Sequence, residues 1–144
     1  MRILFSKQAE LGIKAVLYLA VQPKGYLCNA TEISKELRAP KEFVAKILQK
    51  LTHYGIVTSK KGKTGGFALG VSPQEIKIID VIKSIDGTRA FEECVLGFSK
   101  CSDENPCPIH KSWEELRQRI LEVLSEKTIA DFREQTIRKL KALK

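Results

Sequence analysis

The sequence predicts a mainly α protein with a small β-hairpin, a winged helix-turn-helix followed by a long C-terminal dimerisation helix. Three observations predict it. Residues 1–72 read as three helices and then a Gly-rich hairpin, the order a winged helix-turn-helix requires. The whole net charge of +8 arises in that half, where 12 Lys/Arg face 4 Asp/Glu, whereas residues 73–144 carry 13 of each. A long amphipathic helix then follows Pro108, with apolar side chains at helical spacing.

Ser6 can cap a first helix running to about Val21, apolar round most of its circumference and so expected at the centre. Pro23-Lys24-Gly25 ends it. Asn29 or Thr31 can cap a short second helix over residues 32–37. Ala39-Pro40 breaks the chain, and Pro40 suits the first turn of a third helix, residues 41–54. Phe43, Ile47, Leu48 and Leu51 share one face of it, Lys41, Lys46, Gln49 and Lys50 the other, and Gly55 closes it. Residues 56–60 have strand composition, 61–66 form a cationic Gly-rich turn, and 67–69 return as a second strand. Ile78, Val81, Ile82 and Ile85 make one stripe of a fourth helix that Gly87 stops. The helix after Pro108 carries Trp113, Leu116, Ile120, Val123 and Leu124 along one side. Another helical stretch starts near Ile129 and runs into a basic tail at 138–144.

With 144 residues and 43% hydrophobic content, the chain can bury one ordinary core. No run of eighteen apolar residues is present, so no membrane partner is expected. Residues 11–21 contain Lys14, follow Glu10 and lack a small-residue cleavage pattern, which reads as a folded helix rather than an export signal. A cytoplasmic location follows as the expectation, and structural disulfides are uncommon there.

One-sided positive charge suggests a polyanion. Lys41, Lys46, Lys50, Lys60, Lys61 and Lys63 crowd into 23 residues with one acid, Glu42. A lysine face alone is usually a solvated one. Placed on a third helix and on a hairpin tip, it points to double-stranded DNA. Lys46 and Gln49, one turn apart on the outward face, are expected to read base edges. Lys61 and Lys63 are expected to meet phosphates, with Gly62, Thr64, Gly65 and Gly66 letting the backbone approach. Symmetric half-sites need a two-fold dimer, and the stripe Trp113, Leu116, Ile120 and Val123 would make its seam. The other use of that stripe is to cover the helix's own core.

Residues 94–110 hold three of the four cysteines, as Cys94-x6-Cys101-x5-Cys107-x2-His110. Structural zinc usually takes tight pairs two to four residues apart. Gaps of five and six residues suit a larger object, and an iron–sulfur cluster takes Cys ligands with His as a known replacement. Zinc and thiol chemistry remain the other readings of the loop. Cys28, in the apolar-flanked stretch Tyr26-Leu27-Cys28, reads as a small buried residue.

Taken together, these residues resemble the IscR/NsrR family of bacterial iron–sulfur transcription regulators, over nearly the whole chain. Met1-Arg2, Ala9-Glu10, Ala15-Val16 and Leu19-Ala20 look like that family's first helix. Residues 61–69 are similar to its wing, with Lys61 where the pattern has Arg. Cys94, Cys101 and Cys107 match its cysteine triplet, with a first gap of six residues where five is common, and His110 matches the histidine of IscR-type members. The resemblance also implies a rival fourth ligand, Glu10, which sits where NsrR-type members supply a carboxylate from the partner subunit. His110 is favoured, with only two residues between it and Cys107, and Cys₃His suits a 2Fe–2S cluster over a 4Fe–4S one. The family's Glu-Gln pair on the third helix is Ala45-Lys46 here, so a different operator is expected.

The expected organisation is a DNA-binding domain at 1–72, a connecting helix at 73–93, a cluster-binding loop at 94–110 and dimerisation and C-terminal helices at 111–144. The expected protein is a repressor-like dimer on a palindromic operator, whose cluster reports iron–sulfur status, nitric oxide or redox state. The alternative is a metal-free or zinc-binding thiol-responsive regulator of the same fold. An electron-transfer or cluster-carrier protein gives no reason for the wing. A thiol enzyme finds no Cys-x-x-Cys, and only His53 and His110 could serve as bases.

Overall fold

The computed structural model describes residues 5–88, 91, 92, 94, 96, 102–133, 135 and 138. Cys101 and most of the basic tail lie outside them.

Helix α1, Lys7–Ala20, starts where expected: Ser6 accepts the Ala9 N–H at its N-terminus. Ser6 is itself held by the Asp86 carboxylate, which accepts its backbone N–H at 2.8 Å and also its hydroxyl. Eight of the fourteen residues of α1 are buried, on more than one face, because helices pack around it on several sides. Asn29, rather than Thr31, caps α2, Ala30–Leu37, by accepting from Glu32 N at 2.8 Å. Helix α3, Lys41–His53, begins after Pro40, which sits at the cap position rather than inside the first turn. Its end is closed by the 6→1 and 5→2 pair of bonds, Ile56 N to Leu51 O at 3.1 Å and Gly55 N to Thr52 O at 3.0 Å. Gly55 takes φ +79°, which a side chain would resist.

Strands β1, Val57–Lys60, and β2, Gly66–Leu69, pair antiparallel with Val57 opposite Leu69 and Lys60 opposite Gly66. A third segment joins them that the sequence reading did not contain. Cys28 and Phe67 exchange both backbone bonds, at 2.9 and 2.7 Å. Gly66 makes this approach possible, since a Cβ there would stand 2.8 Å from the Cys28 backbone. Helix α4, Ile78–Asp86, buries its expected stripe and packs on α1 and α3 in one continuous core. Val16, Val44, Leu48, Leu51, Val81, Ile82 and Ile129 are at its dry centre.

Helix α5, His110–Glu126, leans on α4 and has no buried residue. Leu121 and Leu124 turn toward the core, separating Leu124 from the outer stripe with which the sequence reading grouped it. After α5 the chain is pinned back to the start of α4: Ile78 N donates to Lys127 O at 3.1 Å, and Ile129 N to Ile76 O at 2.8 Å. Thr128 then begins the last helical stretch, its N–H and hydroxyl donating to Asp131, whose carboxyl is thereby held below its usual range. Among the described residues no helix is long and apolar enough to cross a membrane.

Candidate nucleic-acid interface and cysteine loop

Helices α2 and α3 form the helix-turn-helix pair, and Arg38 makes the turn. It takes the left-handed conformation, φ 53°, while Ala39 N donates to Ser34 O at 3.1 Å. It is the one described non-glycine residue with positive φ. Helix α3 buries Val44, Ile47, Leu48 and Leu51. With 3.6 residues per turn, the side opposite that stripe carries Glu42, Lys46, Gln49 and His53, all exposed. Lys46 and Gln49 therefore lie where the sequence reading put them. Lys41 is exposed at the first turn, and Ala45 is half-buried at the margin. Lys50 is turned back: its ammonium donates to Gln8 Oε1 at 3.2 Å and to Ile85 O at 3.5 Å, tying α3 to α1 and α4. Glu42 and His53 share this outward side as further possible contacts. A helical wheel centred on the apolar stripe finds both.

The wing tip is exposed at Lys60, Lys61, Gly62, Lys63 and Thr64. Gly65 and Gly66 face inward instead. A Cβ on Gly65 would meet Lys60 O at 2.0 Å, and Gly66 is buried against Cys28. Their small size serves the hairpin's own fold, and the cationic rim in front of them is left clear.

Behind the wing, Glu32 collects three donors from two segments. Tyr26 donates at 2.8 Å and Tyr18 at 3.1 Å, and the Cys28 thiol is bonded to the same carboxylate. Burial opposes ionising Glu32, but the bonds from Cys28, Tyr26 and Tyr18 outweigh it and hold its carboxyl below the usual range. Burial first, and then Glu32, push the Cys28 thiol up to about 12. Cys28 is fully buried, as the sequence reading expected, and stays a neutral thiol.

In the second half of the chain, Cys94 and Cys107 are half-buried and their sulfurs lie 3.5 Å apart, although they stand 13 positions apart in sequence. Two thiols converging on one point form half of the donor set an iron–sulfur centre takes. His110 follows on the first turn of α5, with its N–H on Cys107 O at 3.1 Å. Its ring Nε2 is directed at carboxylates: Asp103 Oδ1 at 3.0 Å and Glu114 Oε2 at 3.6 Å. Neither acid was singled out in the sequence. The His-x3-Glu spacing at the head of a helix was legible, whereas a loop aspartate seven residues upstream carries no periodic signal. Glu10 stands on the outer side of α1, where Lys14 first and Lys7 as well hold its carboxyl below the usual range. Among the described residues the enclosed Nε1 of the half-buried Trp113 indole finds no acceptor.

Residues 5–135 match the family Rrf2, described as an iron-dependent transcriptional regulator. The chain is 36% identical over 131 residues to a candidate HTH-type transcriptional regulator of Aquifex aeolicus, covering 90% of each protein. It is similar in fold to CymR, the global cysteine regulator of B. subtilis, with TM-score 0.75, 22% identity and 94% and 98% of the two chains covered. It is likewise similar to IscR of T. potens, with TM-score 0.70, 24% identity and 90% and 85% covered.

Proposed function

Because the chain belongs to the Rrf2 family, whose members are DNA-binding transcriptional regulators and not enzymes, we propose that it is a cytoplasmic homodimeric repressor. It binds a palindromic operator, and a 2Fe–2S cluster held by Cys94, Cys101, Cys107 and His110 controls that binding. Helix α3 enters the major groove with Lys46 and Gln49 toward the bases, and Lys61 and Lys63 of the wing grip phosphates on either side. A cluster supplies a redox-active centre sensitive to iron–sulfur status and nitric oxide. The chain's own residues supply the linkage. The cysteine loop leads into α5, α5 rests on α4, and α4 packs on α1 and α3. A change in how the loop is held can thus reach the DNA-binding helix through packed elements. Regulation requires that the two loop states differ in operator affinity.

The observation that carries this reading is the 3.5 Å approach of the Cys94 and Cys107 sulfurs from distant points of the sequence. The same approach favours one alternative, a thiol-responsive or zinc-binding regulator, since two such sulfurs can oxidise together or share one ion. Anaerobic purification followed by iron and acid-labile sulfide analysis separates the two. Iron and sulfide in equal amounts, with operator affinity that changes when they are removed, support the cluster. A colourless protein whose operator affinity follows thiol oxidation or zinc supports the alternative.

A further inference from the structure

His110 opens α5 with its side chain only 17% exposed, and two carboxylates converge on a single ring nitrogen. Asp103 Oδ1 lies 3.0 Å and Glu114 Oε2 3.6 Å from Nε2, and the three atoms all lie within 4.8 Å of one another. A proton on Nε2 serves one of the two: Asp103 accepts it at 3.0 Å, and Glu114 at 3.6 Å stands beyond hydrogen-bond reach. A divalent cation satisfies all three at once. Two ligand atoms on one tetrahedral ion of zinc's size stand about 3.4 Å apart, given bonds of ~2.1 Å. The observed 3.0 and 3.6 Å straddle that spacing. The ligands also come from two segments: Asp103 from the loop, Glu114 from one turn into α5. An ion here would clamp the loop to the helix.

We propose that Asp103, His110 and Glu114 form a divalent-cation site separate from the thiols, for an ion of zinc's class. The imidazole selects such an ion over magnesium or calcium, and three protein ligands leave a fourth position to water. The site does not rest on the cluster reading, but it bears on it. His110 Nε2 cannot be given to a cation and to a cluster iron together, so an ion on the carboxylates withdraws His110 from Cys94 and Cys107. The loop then has two exclusive occupants sharing one histidine.

The test uses the full chain, stripped by chelation under reducing anaerobic conditions and titrated with Co²⁺. A parallel titration uses the full chain carrying Cys94→Ser, Cys101→Ser and Cys107→Ser. Saturable ligand-field bands that zinc displaces are expected in both proteins, without thiolate charge transfer in the one lacking the three loop cysteines. In that background Asp103→Asn and Glu114→Gln should each weaken binding about tenfold or more, as loss of a charged ligand does. Both acids are exposed, so neither change threatens the core. Loss of saturable binding in the chain without the three loop cysteines, or affinity indifferent to both carboxylate changes, overturns the site. Iron content of the anaerobic protein is a separate measurement, so failure of the cluster reading is distinguishable from failure here.

Discussion

Glu32 joins three segments through one carboxylate: Tyr18 on α1, Tyr26 and Cys28 before α2, and its own helix. Glu32→Ala would leave the Cys28 thiol and the Tyr18 hydroxyl in a largely apolar place with no acceptor. A destabilisation of about 1–3 kcal/mol is expected, read by denaturant unfolding. The pH dependence follows from the directions of the shifts. The carboxyl of Glu32 sits below its ordinary 4.5, so the stability it contributes is complete above that value and is lost as the pH falls through the folded one. The Cys28 thiol is pushed from 9.0 to about 12, so its contribution holds below pH 9 and is lost as the pH rises between those values. At neutral pH an alkylating reagent should therefore label Cys94 and Cys107 well before Cys28 in the folded, metal-free protein. Peptide mapping that finds Cys28 labelled at an equal rate would refute the burial argument.

At the scale of elements, the proposed interface divides its work between α3 and the wing. Lys63→Ala and Lys61→Ala should weaken binding about equally on every DNA sequence and lower the salt slope by about 1 each, measured by anisotropy titrations at several salt concentrations. Substituting Gln49 should instead change preference at one position per half-site, by about 1–3 kcal/mol if the contact is bidentate. An even loss over all sequences would move Gln49 to the backbone. Lys50→Met should behave differently from Lys46→Met, since its ammonium is already engaged with Gln8 and the end of α4. Most of this was legible in advance. Periodicity gave all five helices, and the order of elements gave the module, because these signals are local. Pairings outside helical periodicity were not legible: the Cys28–Phe67 bridge, the turning of Lys50, and the Asp103 carboxylate beside His110. Each joins residues whose neighbours in sequence say nothing of the partner. Gly65 and Gly66 show the limit most plainly. Their positions were read correctly as wing residues, but the chain they accommodate is their own.

For the whole molecule, a single chain leaves one side of α5 uncovered. A 17-residue helix with no buried residue does not hold its place by burial of its own side chains alone. Leu121 and Leu124 account for its contact with the core. On the adjoining side Leu116 is 53% and Val123 43% exposed, with Trp113 and Ile120 half-buried between them, at spacings of three, four and three residues. That is the a/d pattern of a helix packed on another helix. Leu116→Asp should therefore turn a dimer into a monomer by sedimentation while leaving the melting of the single domain nearly unchanged, because the side chain is exposed in the isolated fold. Operator binding should fall much further than either half-site contact explains, since two linked modules lose their effective concentration for each other, of millimolar order for short linkages. If the variant stays dimeric and its thermal stability drops instead, the stripe covers the helix's own domain and the two-fold seam lies elsewhere.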